Sequence, residues 1–228
     1  MQMGIKVYVA NAQVLAKPVV FEKLYGLVGR GRQNKIDKFR FKKDKALSLA
    51  AGLLLEHALG AFGVCDPQFE CAEYGKPKLS GADGIHFNIS HSGELAVCAV
   101  AAADIGCDVE KIEEPPAIVI PKVFVPSEQE YLNSFEGKQF HQQFYRLWTA
   151  KESFVKMTGQ GLSLNPLKFS VNVAETYQVI GGRSVSLLTF LYNSAYQISV
   201  CVEGFYSHQN LLLEEVDLLK KLRGNINV

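Results

Sequence analysis

The strongest constraint on this chain is a short alternating stretch, Ile105-Gly106-Cys107-Asp108-Val109-Glu110. Apolar residues fall on every second position, the period of a β-strand. Successive side chains of a strand point to opposite faces, so Asp108 and Glu110 project from one face as paired carboxylates. Further along, Trp148-Thr149-Ala150-Lys151-Glu152-Ser153-Phe154-Val155-Lys156 has helical character, with Glu152 and Lys156 four apart on one face. Three carboxylates and an ammonium gathered from a strand and a helix would make a hard-cation site beside a phosphate-binding cation. Each piece alone has a plainer reading. A strand Asp-x-Glu is commonly a solvent face, and an exposed helical Glu/Lys pair contributes only about 0.2–0.5 kcal/mol.

Bulk properties narrow the classes. The chain has 228 residues, 48% hydrophobic and 21% charged, which suits one large or two small globular domains. A net charge of +1 gives no basis for general nucleic-acid or membrane binding, so any anion site must come from local clustering. The five cysteines, Cys65, Cys71, Cys98, Cys107 and Cys201, are odd in number and contain no C-x-x-C pair. They read as buried reduced thiols of a cytoplasmic protein, not as a zinc site. The opening Met1-Gln2-Met3-Gly4-Ile5-Lys6 lacks the apolar core of a signal peptide, and the longest apolar run, Leu95 to Ala103, is too short to span a bilayer.

In chain order, Ile5 to Ala10 reads as an opening strand and residues 19–29 as a short helix. The basic run Arg30, Arg32, Lys35, Lys38, Arg40, Lys42, Lys43 and Lys45 leads directly into a buried helix over Ala46 to Leu55. Cations at the end of such a helix are placed to hold a polyanion, although a charge run by itself is more often a solvated face. Tyr74-Gly75-Lys76-Pro77 is a turn. A strand through Ile85, Phe87 and Ile89 ends at Ser90-His91-Ser92-Gly93, whose hydroxyls, imidazole and turn amides can contact phosphate. Leu95 to Ala101 and Ile105 to Glu110 are then the second and third strands of an expected antiparallel meander. Glu113 to Pro116 is a linker. Ser127 with Glu130 has capping-box spacing for a helix of about three turns. A longer helix over residues 139–157 closes at Gly159. Strands follow over 169–173, 177–180, 185–192 and 196–203, and the leucine-rich tail Leu211 to Leu222, ending in Lys220, Lys221 and Arg223, reads as a packing segment.

Ser92 to Val100 and Ser194 to Val202 share a turn-then-apolar-strand pattern, each after a long helix closed by glycine. The repeat suggests two related halves, 1–111 and 112–228, with ligands drawn into the cleft between them. On that division the strand carboxylates belong to the first half and Glu152 and Lys156 to the second.

The combined motifs, Phe87-Asn88-Ile89-Ser90-His91-Ser92, then Gly106 to Glu110, then Trp148 to Lys156 with Gly159-Gln160-Gly161-Leu162, resemble the Sfp-type 4'-phosphopantetheinyl transferases. Tyr74 to Pro77 and Phe124 to Glu128 extend the likeness, which weakens before residue 30 and after about residue 175. The resemblance implies an α/β (α+β) fold of two similar halves about a pseudo-two-fold axis, each a small, mostly antiparallel sheet with a long helix. It also implies transfer of phosphopantetheine from coenzyme A to a serine of an apo acyl or peptidyl carrier protein, with release of 3',5'-ADP.

Asp108, Glu110 and Glu152 match the family's magnesium ligands, where manganese can substitute, and Lys156 matches the lysine that contacts the pyrophosphate and assists the leaving group. Ser90, His91, Lys76 and Pro77 match positions around the nucleotide and its 3'-phosphate. Arg32 and Lys35 match phosphate-binding cations, and Ser48 a small hydroxyl residue. Lys45-Ala46-Leu47-Ser48 departs from the family, which often has arginine just before that hydroxyl. Glu152, or a water beside it on the metal, would take the serine proton, and Glu128 is a further candidate for reaching the metal through water. A pseudo-dimer within one chain is expected to act as a monomer, and the near-neutral charge points to no nucleic acid or membrane partner. The rival readings are a metal-dependent phosphohydrolase or nuclease, and a non-catalytic binder of coenzyme A or a carrier protein.

Overall fold

The computed structural model describes residues 4–81, 84–220 and 222. Met1 to Met3, and Lys221 and Arg223 of the tail, lie outside them. Strand β1 (Ile5–Asn11) is followed by helices α1 (Pro18–Tyr25), α2 (Arg30–Asp37) and α3 (Lys42–Gly60). A small hairpin, β2 (Phe69–Cys71) and β3 (Pro77–Leu79), leads to β4 (His86–Ser92), β5 (Leu95–Ala101) and β6 (Ile105–Lys111). Helices α4 (Ile120–Val123), α5 (Pro126–Asn133) and α6 (Gly137–Thr158) come next. The chain finishes with β7 (Tyr177–Ile180), β8 (Arg183–Tyr192), β9 (Tyr196–Glu203) and β10 (Leu211–Glu215).

Two four-stranded sheets result, in the orders β10-β1-β5-β4 and β6-β9-β8-β7. Only β1 and β10 run parallel; the other pairs in these sheets are antiparallel. Each sheet is built from the same unit: an opening strand, a long helix, then a hairpin whose second strand pairs with the opening strand. The units are β1-α3-β4-β5 and β6-α6-β8-β9, so the α/β fold of two similar halves is as expected from the sequence.

The expected meander is not formed. β5 already has β1 on one edge and β4 on the other, so it offers β6 no free backbone, and β6 pairs with β9 instead. The unit repeat therefore turns over between Ala101 and Ile105, and Asp108 and Glu110 stand on the second sheet rather than the first.

Apolar faces explain the layering. Val7, Val97 and Ala99 of the first sheet pack against Val109, Ile198 and Val200 of the second. On its other face the first sheet is covered by α3 through Leu49, Leu53 and Leu54. The second is covered by α6 through Phe144, Ala150 and Phe154. Covered on both sides, β5 is buried at every position, which is why it reads as a continuous apolar run.

Gly106 sets how closely α6 lies on β6. A Cβ there would meet the backbone of Ser153, Lys156 and Met157 inside 3.0 Å, so no other residue allows this approach.

Four smaller expectations are corrected. Ser90, His91 and Ser92 lie within β4, and only Gly93 and Glu94 make the two-residue turn, Gly93 with φ +61. α5 starts at Pro126, with the Glu128 carboxylate rather than Glu130 accepting the Val125 N–H, and makes about two turns. Residues 169–173 bury Phe169, Val171 and Val173 without forming a strand. Cys98, Cys107 and Cys201 are buried, whereas Cys65 and Cys71 are exposed; all five are free thiols. The tail does pack, as β10 against β1 with Leu218 buried. Among the described residues no helix is long and apolar enough to cross a membrane.

Candidate active site

A cleft of about 340 Å³ gathers most of the predicted residues. Arg32 and Lys35 come from α2, Ser48 from α3, Ser90 and His91 from β4, Asp108 and Glu110 from β6, and Trp148, Glu152 and Lys156 from α6. The spacing of Trp148, Glu152 and Lys156 puts them on one helical stripe, while Phe144, Leu147 and Phe154 of the same helix turn into the core.

At the centre, Lys156 Nζ donates to Asp108 Oδ1 at 2.6 Å and to Ser90 Oγ at 2.8 Å. Ser90 Oγ donates in turn to Asp108 Oδ1 at 2.9 Å. Asp108 is 3% exposed, and its second oxygen, Oδ2, is buried without a protein partner. The hydroxyl of Ser48 is likewise buried and unpartnered. Buried polar atoms are rarely left so, and both of these belong to residues that line the cleft.

The charges interact as the placement requires. Burial raises the Glu110 pKa, and the negative charge of Asp108 raises it further. Burial and Asp108 raise Glu152 in the same way. Burial alone would lower Lys156, but Asp108 outweighs it and holds the ammonium above the ordinary lysine range. The cations opposite, Arg32 and Lys35, are both lowered by burial. His91 is lowered by burial of its imidazole and by the nearby Lys156 and Lys35 ammonium groups. Two acids held up and three bases held down, each chiefly by burial, describe a cleft that withdraws its charged groups from water.

Lys76 and Pro77 are not among the cleft-lining residues. Lys76 Nζ donates to the carbonyls of Ile105 at 2.8 Å and Met157 at 2.9 Å, tying the start of β6 to the end of α6, and burial lowers its pKa to about 8. Its ammonium is thereby committed to the protein. Glu128 also lies elsewhere. It is 4% exposed and accepts from Lys151 Nζ at 2.7 Å, from Val125 N–H at 2.9 Å and from Val171 N–H at 2.9 Å. Glu128 does not line the cleft, and these bonds occupy both of its oxygens. Its partner Lys151 also donates to the carbonyl of Phe169 and lies over that ring. Neighbours in sequence, Lys151 and Glu152 thus face a buried ion pair and the cleft respectively.

The Ser92 hydroxyl, expected from the sequence as a phosphate contact, instead donates from Oγ to Glu110 Oε2 at 2.6 Å. The signal for that bond lies in the period-two spacing of Ser90 and Ser92 on one strand face.

Among the described residues, no three His, Cys, Asp or Glu side chains are already arranged to hold one ion. In this arrangement Asp108 is instead engaged by Lys156. The buried, unpartnered Oδ2 and the mutual repulsion of the carboxylates nevertheless fit a hard cation better than they fit vacant space.

An acidic group and a cationic wall share one cleft between two α/β units. Comparisons with known proteins give the family. Residues 104–201 match the 4'-phosphopantetheinyl transferase superfamily, and residues 17–103 match the 4'-phosphopantetheinyl transferase N-terminal family. A 4'-phosphopantetheinyl transferase of Bacillus subtilis is 33% identical over 189 residues, covering 79% of this chain and 84% of the relative. The transferase Sfp of Bacillus subtilis strain 168 is 32% identical over 161 residues, covering 69% and 72%. HetI of Nostoc is 29% identical over 181 residues, covering 75% and 76%. The chain belongs to the 4'-phosphopantetheinyl transferase superfamily.

Proposed function

We propose that this transferase binds coenzyme A in the cleft and passes its phosphopantetheine to a serine of an apo carrier protein. The observation that carries the reading is Asp108, with one oxygen fixed by Lys156 and Ser90 and the other buried and free. Asp108, Glu110 and Glu152 would hold a divalent cation, magnesium by the chemistry of an all-oxygen donor set. When bound, that ion supplies charge neutralisation at the pyrophosphate.

The chain's own residues do the rest. Arg32 and Lys35, with the Ser48 hydroxyl and the His91 ring, receive the nucleotide phosphates. Lys156, kept protonated by Asp108, faces the bridging oxygen as the serine attacks the β-phosphorus and 3',5'-ADP departs. Glu152 accepts the serine proton, a task suited to a carboxylate whose pKa is raised by burial. The protein acts as a cytoplasmic monomer, with coenzyme A and the carrier as its partners.

The test is incubation with coenzyme A, magnesium and a panel of apo carriers, read by mass spectrometry of the intact carrier. A phosphopantetheine mass gain that EDTA abolishes is the expected result. No gain on any carrier, or a gain indifferent to EDTA, overturns the substrate or the metal reading respectively.

A further inference from the structure

The two sheets meet along the edges of β4 and β6, and no backbone ladder joins them there. Asn88, Ser90 and Ser92 alternate along the face of β4 whose neighbours on β5 belong to the core between the sheets. Each reaches across to β6. Asn88 Oδ1 accepts the Cys107 N–H at 2.9 Å, Ser90 bonds Asp108, and Ser92 accepts the Lys111 N–H at 3.2 Å while donating to Glu110. Side chains replace the missing ladder, and two of its three rungs end on cleft carboxylates.

We infer that Ser92 is a positioning residue for the transfer reaction, fixing the cleft-lining Glu110 through the 2.6 Å bond from Ser92 Oγ to Glu110 Oε2. A short hydrogen bond to an ionised oxygen is strong and directional. Among the described residues Glu110 has no other hydrogen-bond partner, so its orientation depends on this hydroxyl. The inference rests on the proposed function for its assay and on the metal reading for one of its measurements. Partners that orient a ligating group typically change metal affinity or activity by about 10–100-fold when removed.

The experiment compares Ser92→Ala, Ser92→Thr and Glu110→Gln with the wild type, and adds the Ser92→Ala/Glu110→Gln double variant. Ser92→Ala should lower kcat on the order of 10-fold while the KM for coenzyme A stays nearly constant. Ser92→Thr, which keeps the hydroxyl, should restore most of the loss. In the Glu110→Gln background, removing the hydroxyl should have almost no further effect. Manganese binding followed by calorimetry without coenzyme A should weaken in Ser92→Ala by a similar factor. The unfolding midpoint should fall only modestly, by the loss of one part-buried bond to Glu110, since the Lys111 N–H is exposed and water can take it.

A full additional loss in the Glu110→Gln background, or no recovery with threonine, overturns the assignment. If the wild type bound no manganese, the metal reading would fall, and the double-variant cycle on kcat would still decide the role of Ser92.

Discussion

Replacing Gly106 by alanine perturbs the site without removing any of its side chains. The added Cβ would lie inside 3.0 Å of the Ser153, Lys156 and Met157 backbone, all part of α6. Ordinary contact starts near 3.4 Å, and main chain cannot rotate aside, so α6 must retreat from β6 by roughly 1 Å. Lys156 and Glu152 ride on α6, whereas Asp108 and Glu110 ride on β6. The Lys156–Asp108 bond, now 2.6 Å, would be stretched beyond hydrogen-bonding range. Overpacking of this kind costs about 1–3 kcal/mol. A misplacement of about 1 Å between reacting groups costs on the order of 10²-fold in rate. Urea unfolding and steady-state transfer to an apo carrier measure the two effects. Gly60→Ala is the control, because nothing lies within 4 Å of its Cβ and it sits at the end of α3. Gly60→Ala should keep wild-type turnover. Wild-type turnover and an unchanged unfolding midpoint in Gly106→Ala would refute the close-approach argument.

Three further outcomes are expected. Glu128→Gln removes one member of a buried ion pair and should destabilise the fold by about 3–5 kcal/mol in urea unfolding, with the turnover of folded protein intact; a specific loss of metal affinity would instead return Glu128 to the site. Lys76 has a folded pKa of about 8, below its ordinary 10.5, so between those values the unfolded chain binds more protons and stability rises with pH. The rise is at most about 3 kcal/mol, and urea unfolding at mildly and strongly alkaline pH should show it in the wild type but not in Lys76→Met. Arg32→Ala should weaken coenzyme A more than dephospho-coenzyme A in binding titrations; equal losses would remove Arg32 from the 3'-phosphate.

Much of this site is legible in the sequence because its groups lie at short, regular spacings. Asp108 and Glu110 follow the strand period, and Trp148, Glu152 and Lys156 follow the helical one, so local geometry fixes which face each occupies. Strand partnership is not local. Alternation marks β6 as a strand but does not distinguish β5 from β9 as its neighbour; that depends on β1 occupying the second edge of β5. Lys76 and Glu128 fail for a related reason. Each sits in a motif segment, but where a long side chain ends depends on distant backbone: the Ile105 and Met157 carbonyls for one, Val171 and Lys151 for the other.

The same topology explains why the chemistry sits where it does. Had β6 joined β5, backbone pairing would have consumed its edge, and Asp108 would have stood on the sheet covered by α3, away from Lys156. Pairing with β9 places Asp108 beside α6 and leaves the other edge of β6 to be met by the hydroxyls and amide of β4. Those polar groups lie at the rim of an otherwise apolar interface between the sheets, where partial exclusion of water strengthens each charge interaction. The unpartnered oxygen of Asp108 follows from this arrangement. β4 and α6 both address Oδ1, and no described element bonds Oδ2, so the fold itself leaves one strong acceptor unsatisfied in the wall of the cleft.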